Sequence, residues 1–278
     1  SKNNESRLAI DLKKQILGIA SQKNLVYISY LERDINGLLF IVVDEYSMNF
    51  TKVRNIIEIR EHCTSLICGG SLFFDSFGKL YLSVGHGVQY PAQSKSQSLN
   101  SLLGKILRLD VSTLKLEPEI VAYGIRNPWG VTIDSKDRMF ILQCGFNSVE
   151  GVYLLNDLYS GVPVNLGWPV FEGSLKKKIT SLSFDEVLSP IFEYRNRPGC
   201  ATAGVYLDDI ESFLFADFFG TIRLLKQQKN NLWYLFHEDI KEKEPIWGFG
   251  LDKKTKKIFI APNSRELEIL VDSVKINP

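Results

Sequence analysis

Short apolar runs separated by polar turns fill this chain, and they recur in pairs. The first members lie at residues 25–29, 79–83, 139–142, 213–216 and 257–260, and their partners at 38–43, 105–109, 152–155, 221–225 and 267–271. The runs are short and rich in β-branched and aromatic residues, which marks strands, and no segment sustains a helical period. Residues 9–20 come nearest to one. Paired strands at regular intervals imply small sheets repeated around an axis, an all-β β-propeller, with residues 1–278 forming a single propeller domain. Residues 1–9 are polar and read as a lead-in. Residues 157–204, which hold Pro163, Pro169, Pro190 and Pro198, form the longest irregular insertion, of the kind that lies on a ligand-binding face.

Composition narrows the class. With 45% hydrophobic and 23% charged residues, the chain has the balance of an ordinary globular domain. A formal net charge of +1 argues against nucleic acid as a partner, because no basic excess exists to neutralise phosphates. Lys176–Lys178 and the run from Lys253 to Lys257 read as solvated loops. No apolar run reaches membrane-spanning length, and no signal peptide stands at Ser1. Cys63, Cys68, Cys144 and Cys200 lack zinc-site spacing and are expected to be buried free thiols, although Cys63 and Cys68 are close enough to pair in an exported protein.

The stretch from Ala122 to Asn147 carries the densest chemistry. Asn127-Pro128 is turn-prone, so Arg126 and Asn127 stand at a strand end with free side chains. After the strand 138–142, Gly145 opens a loop whose carbonyls suit a hard cation. Spacing alone reads as a tight turn with a surface ion pair.

Tyr123 to Gly130, Tyr-Gly-Ile-Arg-Asn-Pro-Trp-Gly, resembles the signature of the PQQ-dependent glucose/sorbosone dehydrogenases, the soluble aldose sugar dehydrogenase family. Further likenesses follow in order at Gly69–Leu72 with Gly78–Leu82, Ala92-Gln93, Leu103–Arg108, Asn165–Pro169 with Glu172-Gly173, and Ala216–Ile222. Ile16–Ala20 resembles that family's first well-marked strand. The resemblance implies a six-bladed propeller, of which five strand pairs are visible here, so one blade, the first, is expected to be incomplete. It further implies a PQQ cofactor held at Arg126 and Asn127. Calcium would be held by the carbonyls of Gly145 and Phe146, with Glu150 supplying a nearby carboxylate. It also implies export, to a periplasm or the cell exterior.

The departures from the family pattern are specific. Ile67 occupies the position of the family's catalytic histidine, and isoleucine cannot accept a proton. His86, after the strand 79–84, and His62, on a loop, are the candidates for a relocated base. Phe218 or Phe219 aligns with a family lysine, and the arginines that some members carry are absent from Pro245–Gly250, although Asp252 is in place.

Other positions have plainer readings. Trp168 and Trp129 are packing or rim aromatics with a sugar-stacking role open to them. Arg108 is a structural ion-pair partner, Arg195–Pro198 a solvated turn, and Asp217 a cap for backbone donors between blades. Three functions stay open: a catalytically silent propeller binding a sugar, an ion or a protein on its top face; an active quinoprotein aldose dehydrogenase; and a structural subunit of a larger assembly. The last would expose an apolar flank where blade strands are missing.

Overall fold

The computed structural model describes residues 12–64, 66–113, 116–195, 199–240, 244–252, 254–262 and 268–272. The expected lead-in at 1–9, and residues 196–198, 253 and 267, lie outside the described set. Among the described residues five mainly antiparallel sheets of three to five strands succeed one another along the chain. The first holds β1 (Ile16–Gln22), β2 (Leu25–Arg33), β3 (Leu39–Ser47) and β4 (Lys52–Cys63). The second holds β5 (Gly69–Phe74), β6 (Leu80–Val84), β7 (Lys105–Leu109) and β8 (Glu119–Tyr123), with β12 (Val164–Asn165) added in parallel to β8. The third holds β9 (Pro128–Ile133), β10 (Met139–Gln143), β11 (Val149–Leu155) and β15 (Phe192–Arg195). A hairpin of β13 (Phe171–Glu172) and β14 (Leu175–Lys176) interrupts that sheet in sequence. The fourth holds β16 (Ala201–Leu207), β17 (Ser212–Asp217), β18 (Thr221–Gln227) and β19 (Trp233–Ile240), and the fifth β20 (Ile246–Asp252), β21 (Lys257–Pro262) and β22 (Glu268–Asp272).

The five strand pairs read from the sequence are β2/β3, β6/β7, β10/β11 and β17/β18, the central pairs of four sheets, and β21/β22, the last two strands of the fifth. The segment nearest to a helical period is the strand β1. The first strands of successive sheets face one another in the order β1, β5, β9, β16, β20, the arrangement of blades about a propeller axis. Apolar layers between sheets hold the blades together. One such layer joins Tyr27 and Val43 to Leu80 and Leu107, and another stacks Phe140 on Phe213, ring centroids 4.3 Å apart. Among the described residues the first sheet has four strands and the fifth three.

A recurrent aspartate shapes the turns after the first strands. Asp75 accepts from the N–H groups of Phe77 and Lys79, and Asp134 from those of Lys136 and Arg138. Asp217 serves the same purpose within one sheet rather than between blades. Its Oδ1 accepts from Phe219 and Thr221 N–H, and its Oδ2 accepts from Arg223 at 2.8 Å.

Both cysteine pairs are disulfides, Cys63–Cys68 and Cys144–Cys200, and free thiols are not found among the described residues. Cys63 ends β4 and Cys68 precedes β5 with a Cα–Cα distance of 5.5 Å, so the tight link between the first two sheets brings them together. Cys144 follows β10 and Cys200 precedes β16, where adjacent sheets meet.

Arg223 and Asp217 are almost fully buried, and Glu238 bonds Arg223 Nε at 2.6 Å. Removing one partner strands the other charge. Asp217→Ala is expected to cost about 3 kcal/mol in a denaturant titration, whereas the pair change Asp217→Leu with Arg223→Met costs less. Equal losses in the two variants would refute the pairing argument.

Candidate functional site

A cavity of about 730 Å³ opens where the second, third and fourth sheets converge, and residues 126–127 and the loop 144–148 form much of its wall. Arg126 and Asn127 lie between β8 and β9, where Pro128 ends the turn and starts the strand. Their backbone is fixed from two sides. His86 N–H donates to the Arg126 carbonyl at 2.7 Å, and Cys144 N–H to the Asn127 carbonyl at 2.9 Å. The Arg126 side chain donates through Nη1 to the Cys144 carbonyl (3.0 Å) and passes 3.5 Å from Cys144 Sγ, with Phe146 and Trp168 against the guanidinium. Burial lowers its pKa, and Glu150 and Glu172 oppose that shift. Asn127 Nδ2 donates to the Leu66 carbonyl at 2.9 Å.

The loop after β10 is held by a residue to which sequence reasoning gave no role. Glu172 Oε1 accepts from the N–H groups of Phe146, Asn147, Ser148 and Val149, at 2.7, 2.9, 2.9 and 3.3 Å. Burial alone would raise this carboxyl; the four donors outweigh it and hold the pKa below the usual range. The hairpin β13–β14 carries Glu172 to the loop. It also carries Lys177, whose Nζ donates to Ser148 Oγ at 2.8 Å and stands 3.5 Å from Glu172, so this lysine belongs to the site's support and not to a free loop. Gly145 is required sterically. A Cβ there would fall 1.9 Å from the Val149 carbonyl oxygen and 2.8 Å from Glu172 Oε1. Its N–H donates to Glu150 Oε2 at 3.1 Å.

The predicted positions therefore separate into two groups. Arg126, Asn127, Gly145, Phe146 and Glu150 converge on the cavity, as does Ile67. The two histidines do not line it. His86 is fully buried, and its Nδ1 accepts from Trp168 Nε1 at 3.2 Å, which assigns the proton to Nε2. Burial, and secondarily Arg126, push its pKa down to about 3. His62 stands on an exposed edge 3.5 Å from Asp34. Trp168 is a buried packing residue, whereas Trp129 lines the cavity in contact with Phe218 and Trp247, ring centroids 6.2 and 5.5 Å away. Arg108 is structural as expected, pairing with Glu119 and donating to the Leu158 carbonyl, both at 2.6 Å. Arg195 pairs with Glu193 at 2.7 Å.

These sheets are the blades of a β-propeller, with a cavity lined by the loops of adjacent sheets. The glucose/sorbosone dehydrogenase family model matches residues 19–222, and the chain belongs to that family. Two Arabidopsis thaliana relatives, the HIPL2 and HIPL1 proteins, are each 31% identical to it, over 174 and 153 residues. Those matches take in 48% and 44% of this chain but only 24% and 21% of the relatives, so the chain spans about a quarter of the length of the curated relatives it matches. Among solved structures, a glucose dehydrogenase aligns with a TM-score of 0.73 at 17% identity, covering 92% of this chain and 82% of its own. The apo soluble aldose sugar dehydrogenase of Escherichia coli aligns at 0.71 and 17%, covering 89% and 78%. The PQQ-bound aldose sugar dehydrogenase of Streptomyces coelicolor aligns at 0.67 and 18%, covering 93% and 80%. These likenesses show the propeller fold. Among the described residues no helix is long and apolar enough to cross a membrane.

The site makes a prediction about pH. His86 titrates near 6.5 unfolded and near 3 folded, so its contribution to stability is complete above pH 6.5 and declines as pH falls from there. Glu150 behaves oppositely. Burial, the largest cause, raises its pKa from 4.5 to about 7, so its contribution is complete below pH 4.5 and declines as pH rises to 7. The two slopes offset each other between pH 4.5 and 6.5. Glu150→Gln removes one of them, and the variant is expected to lose about 2 kcal/mol more than wild type between pH 6.5 and pH 5, measured as denaturation midpoints. Parallel curves for the two proteins would show that Glu150 is not buried as an acid.

Proposed function

We propose that this chain is a single-domain propeller of the family that binds a sugar, an ion or a protein partner on its top face without running the quinone-dependent oxidation. The observation that carries this reading is the cavity wall at Ile67. The resemblance places the proton acceptor there, and neither histidine compensates, since His86 is occupied by Trp168 behind the wall and His62 is turned to solvent beside Asp34. Hydride removal from the hydroxyl-bearing carbon of a sugar needs a base within hydrogen-bond reach of the hydroxyl proton.

The lining also does not fit PQQ. A tricarboxylate calls for several fixed cations. Among the described lining residues Arg126 alone is cationic, opposite Glu150 and beside Leu66, Ile67, Trp129, Phe146 and Phe218. Phe218 or Phe219 stands where the resemblance expects a lysine. Calcium fits better. The loop's N–H groups are committed to Glu172 and Glu150, and the carbonyls of Gly145 and Phe146, with the Glu150 carboxylate, are oxygen groups of the kind calcium takes.

One specific observation favours the alternative, an active quinoprotein aldose dehydrogenase: Arg126, Asn127, Gly145, Phe146 and Glu150 all reach the same cavity. Reconstitution separates the two. The protein is incubated with PQQ and calcium, and quinone absorbance is followed on adding aldoses. The expected result is no stoichiometric quinone binding at micromolar concentration and no aldose-dependent reduction. Reduction of bound quinone that disappears in Arg126→Ala would overturn the silent reading.

A further inference from the structure

We propose that Cys144, Cys200 and Glu150 form a redox-gated site for one thiophilic divalent cation, zinc being the type, on the wall of the cavity. The two sulfurs and a Glu150 carboxylate oxygen lie within 4.8 Å of one another, and all three residues line the cavity. Tetrahedral zinc with bonds of about 2.3 Å to sulfur and about 2.0 Å to oxygen needs ligand atoms roughly 3.5–3.8 Å apart. Breaking the S–S bond lets the sulfurs separate to that spacing without moving the strands that carry them. The fourth coordination position then faces the cavity, open to water or a ligand.

Charge explains why reduction is the gate. With the disulfide closed, Arg126 is the one cation and Glu150 the one carboxyl among the described lining residues of this wall. Opening it to two thiolates adds two negative charges, which a divalent cation neutralises. The surroundings also favour the exchange step. Cys200 is partly accessible, whereas Cys144 is buried with Arg126 Nη1 3.5 Å from its sulfur. An entering dithiol, acting as reductant, attacks Cys200 Sγ and expels Cys144 as a thiolate stabilised by the guanidinium. The second thiol of the reductant then attacks the mixed disulfide and releases Cys200. The reductant leaves as its disulfide, two electrons have passed to the protein, and metal binding sends the thiol protons to solvent. Cys63–Cys68 contrasts with this, since both of its cysteines lie inside the apolar layer between the first two sheets, where an attacking thiolate is shielded. Glu150 is poised as third ligand, because Gly145 N–H holds its Oε2 at 3.1 Å and a carboxylate oxygen lies within 4.8 Å of both sulfurs.

The test uses the full chain, reduced with excess dithiothreitol, desalted without oxygen and titrated with cobalt(II). The reduced protein is expected to bind one equivalent with strong thiolate-to-cobalt charge-transfer absorption that zinc bleaches, and the untreated protein to show none. Glu150→Gln is expected to weaken cobalt binding by about tenfold or more. Cys63→Ser with Cys68→Ser keeps the signal. Cobalt binding that is equal in the reduced and oxidised chains, or that disappears with Cys63 and Cys68, overturns the proposal. Iodoacetamide labelling of the reduced wild type, mapped by mass spectrometry, gives a readout that needs no variant. Protection of Cys144 and Cys200 by zinc supports the site, and equal labelling with and without zinc refutes it.

Discussion

One carboxylate oxygen organises the cavity. Glu172 Oε1 gathers four successive backbone N–H groups of the loop after β10, and no other feature of the described structure fixes that loop so completely. A loop lining a cavity has few apolar contacts to stabilise it, and its backbone donors would otherwise face water or remain unpaired. Charge-assisted bonds from one buried anion satisfy four of them together. The geometry propagates outward. With the loop set, Gly145 N–H reaches Glu150, the Cys144 carbonyl receives Arg126, and Phe146 packs against the guanidinium. Arg126 in turn accepts the His86 N–H on its own carbonyl, which ties the third sheet to the second. The loop, the cation and the seam between two blades depend on one side chain delivered by a two-residue strand.

That dependence explains what the sequence made legible. The central strands of the first four sheets are largely buried on both faces, so they appear as mainly apolar runs, as in Leu80–Val84 and Met139–Gln143. The first and last strands of the sheets were harder to read. β4 alternates exposed and buried positions, and β9 starts at a proline and mixes its exposures, so neither gives a continuous signal. Arg126, Asn127 and the loop at 145 were legible because they lie in one compact motif. Glu172 was quoted as part of a motif but carried no role, since a carboxylate that serves backbone amides 23 to 26 residues away leaves no local spacing to detect. Cys144 and Cys200, 56 residues apart, and Trp168 with His86, 82 apart, are likewise pairings that only the closing of blades creates.

The buried titratable groups around the cavity balance one another. His86 is kept neutral by burial and by the neighbouring guanidinium, and with Nδ1 committed to the indole of Trp168 it is a packing group with a polar edge. Arg126 keeps its charge against burial because Glu150 and Glu172 stand near it. Glu150 is the softest member of the set, pushed up to about 7 by burial even with Gly145 and Arg126 pulling it down. A charge introduced into this group is felt by every other member, because the wall between Phe146 and Trp129 is apolar and screens little.

The propeller scaffold therefore separates two kinds of constraint. The seams between blades require large apolar residues at fixed heights, and the turns require an aspartate or a glycine, independent of what the cavity binds. The cavity wall answers to a different set of residues, those at the mouths of strands, and among the described lining residues these are mainly aromatic and apolar around one guanidinium. Ile67 shows the separation at one position. Its N–H and carbonyl bond Thr64 and Gly87 at the seam between the first two sheets, and a Cβ on Gly85 would fall 2.1 Å from its carbonyl oxygen. The backbone of the position is thus held by the fold, while its side chain, free to change, carries the chemistry. Fold and site chemistry thus answer to different residues, and a scaffold of this kind leaves its cavity side chains free to differ.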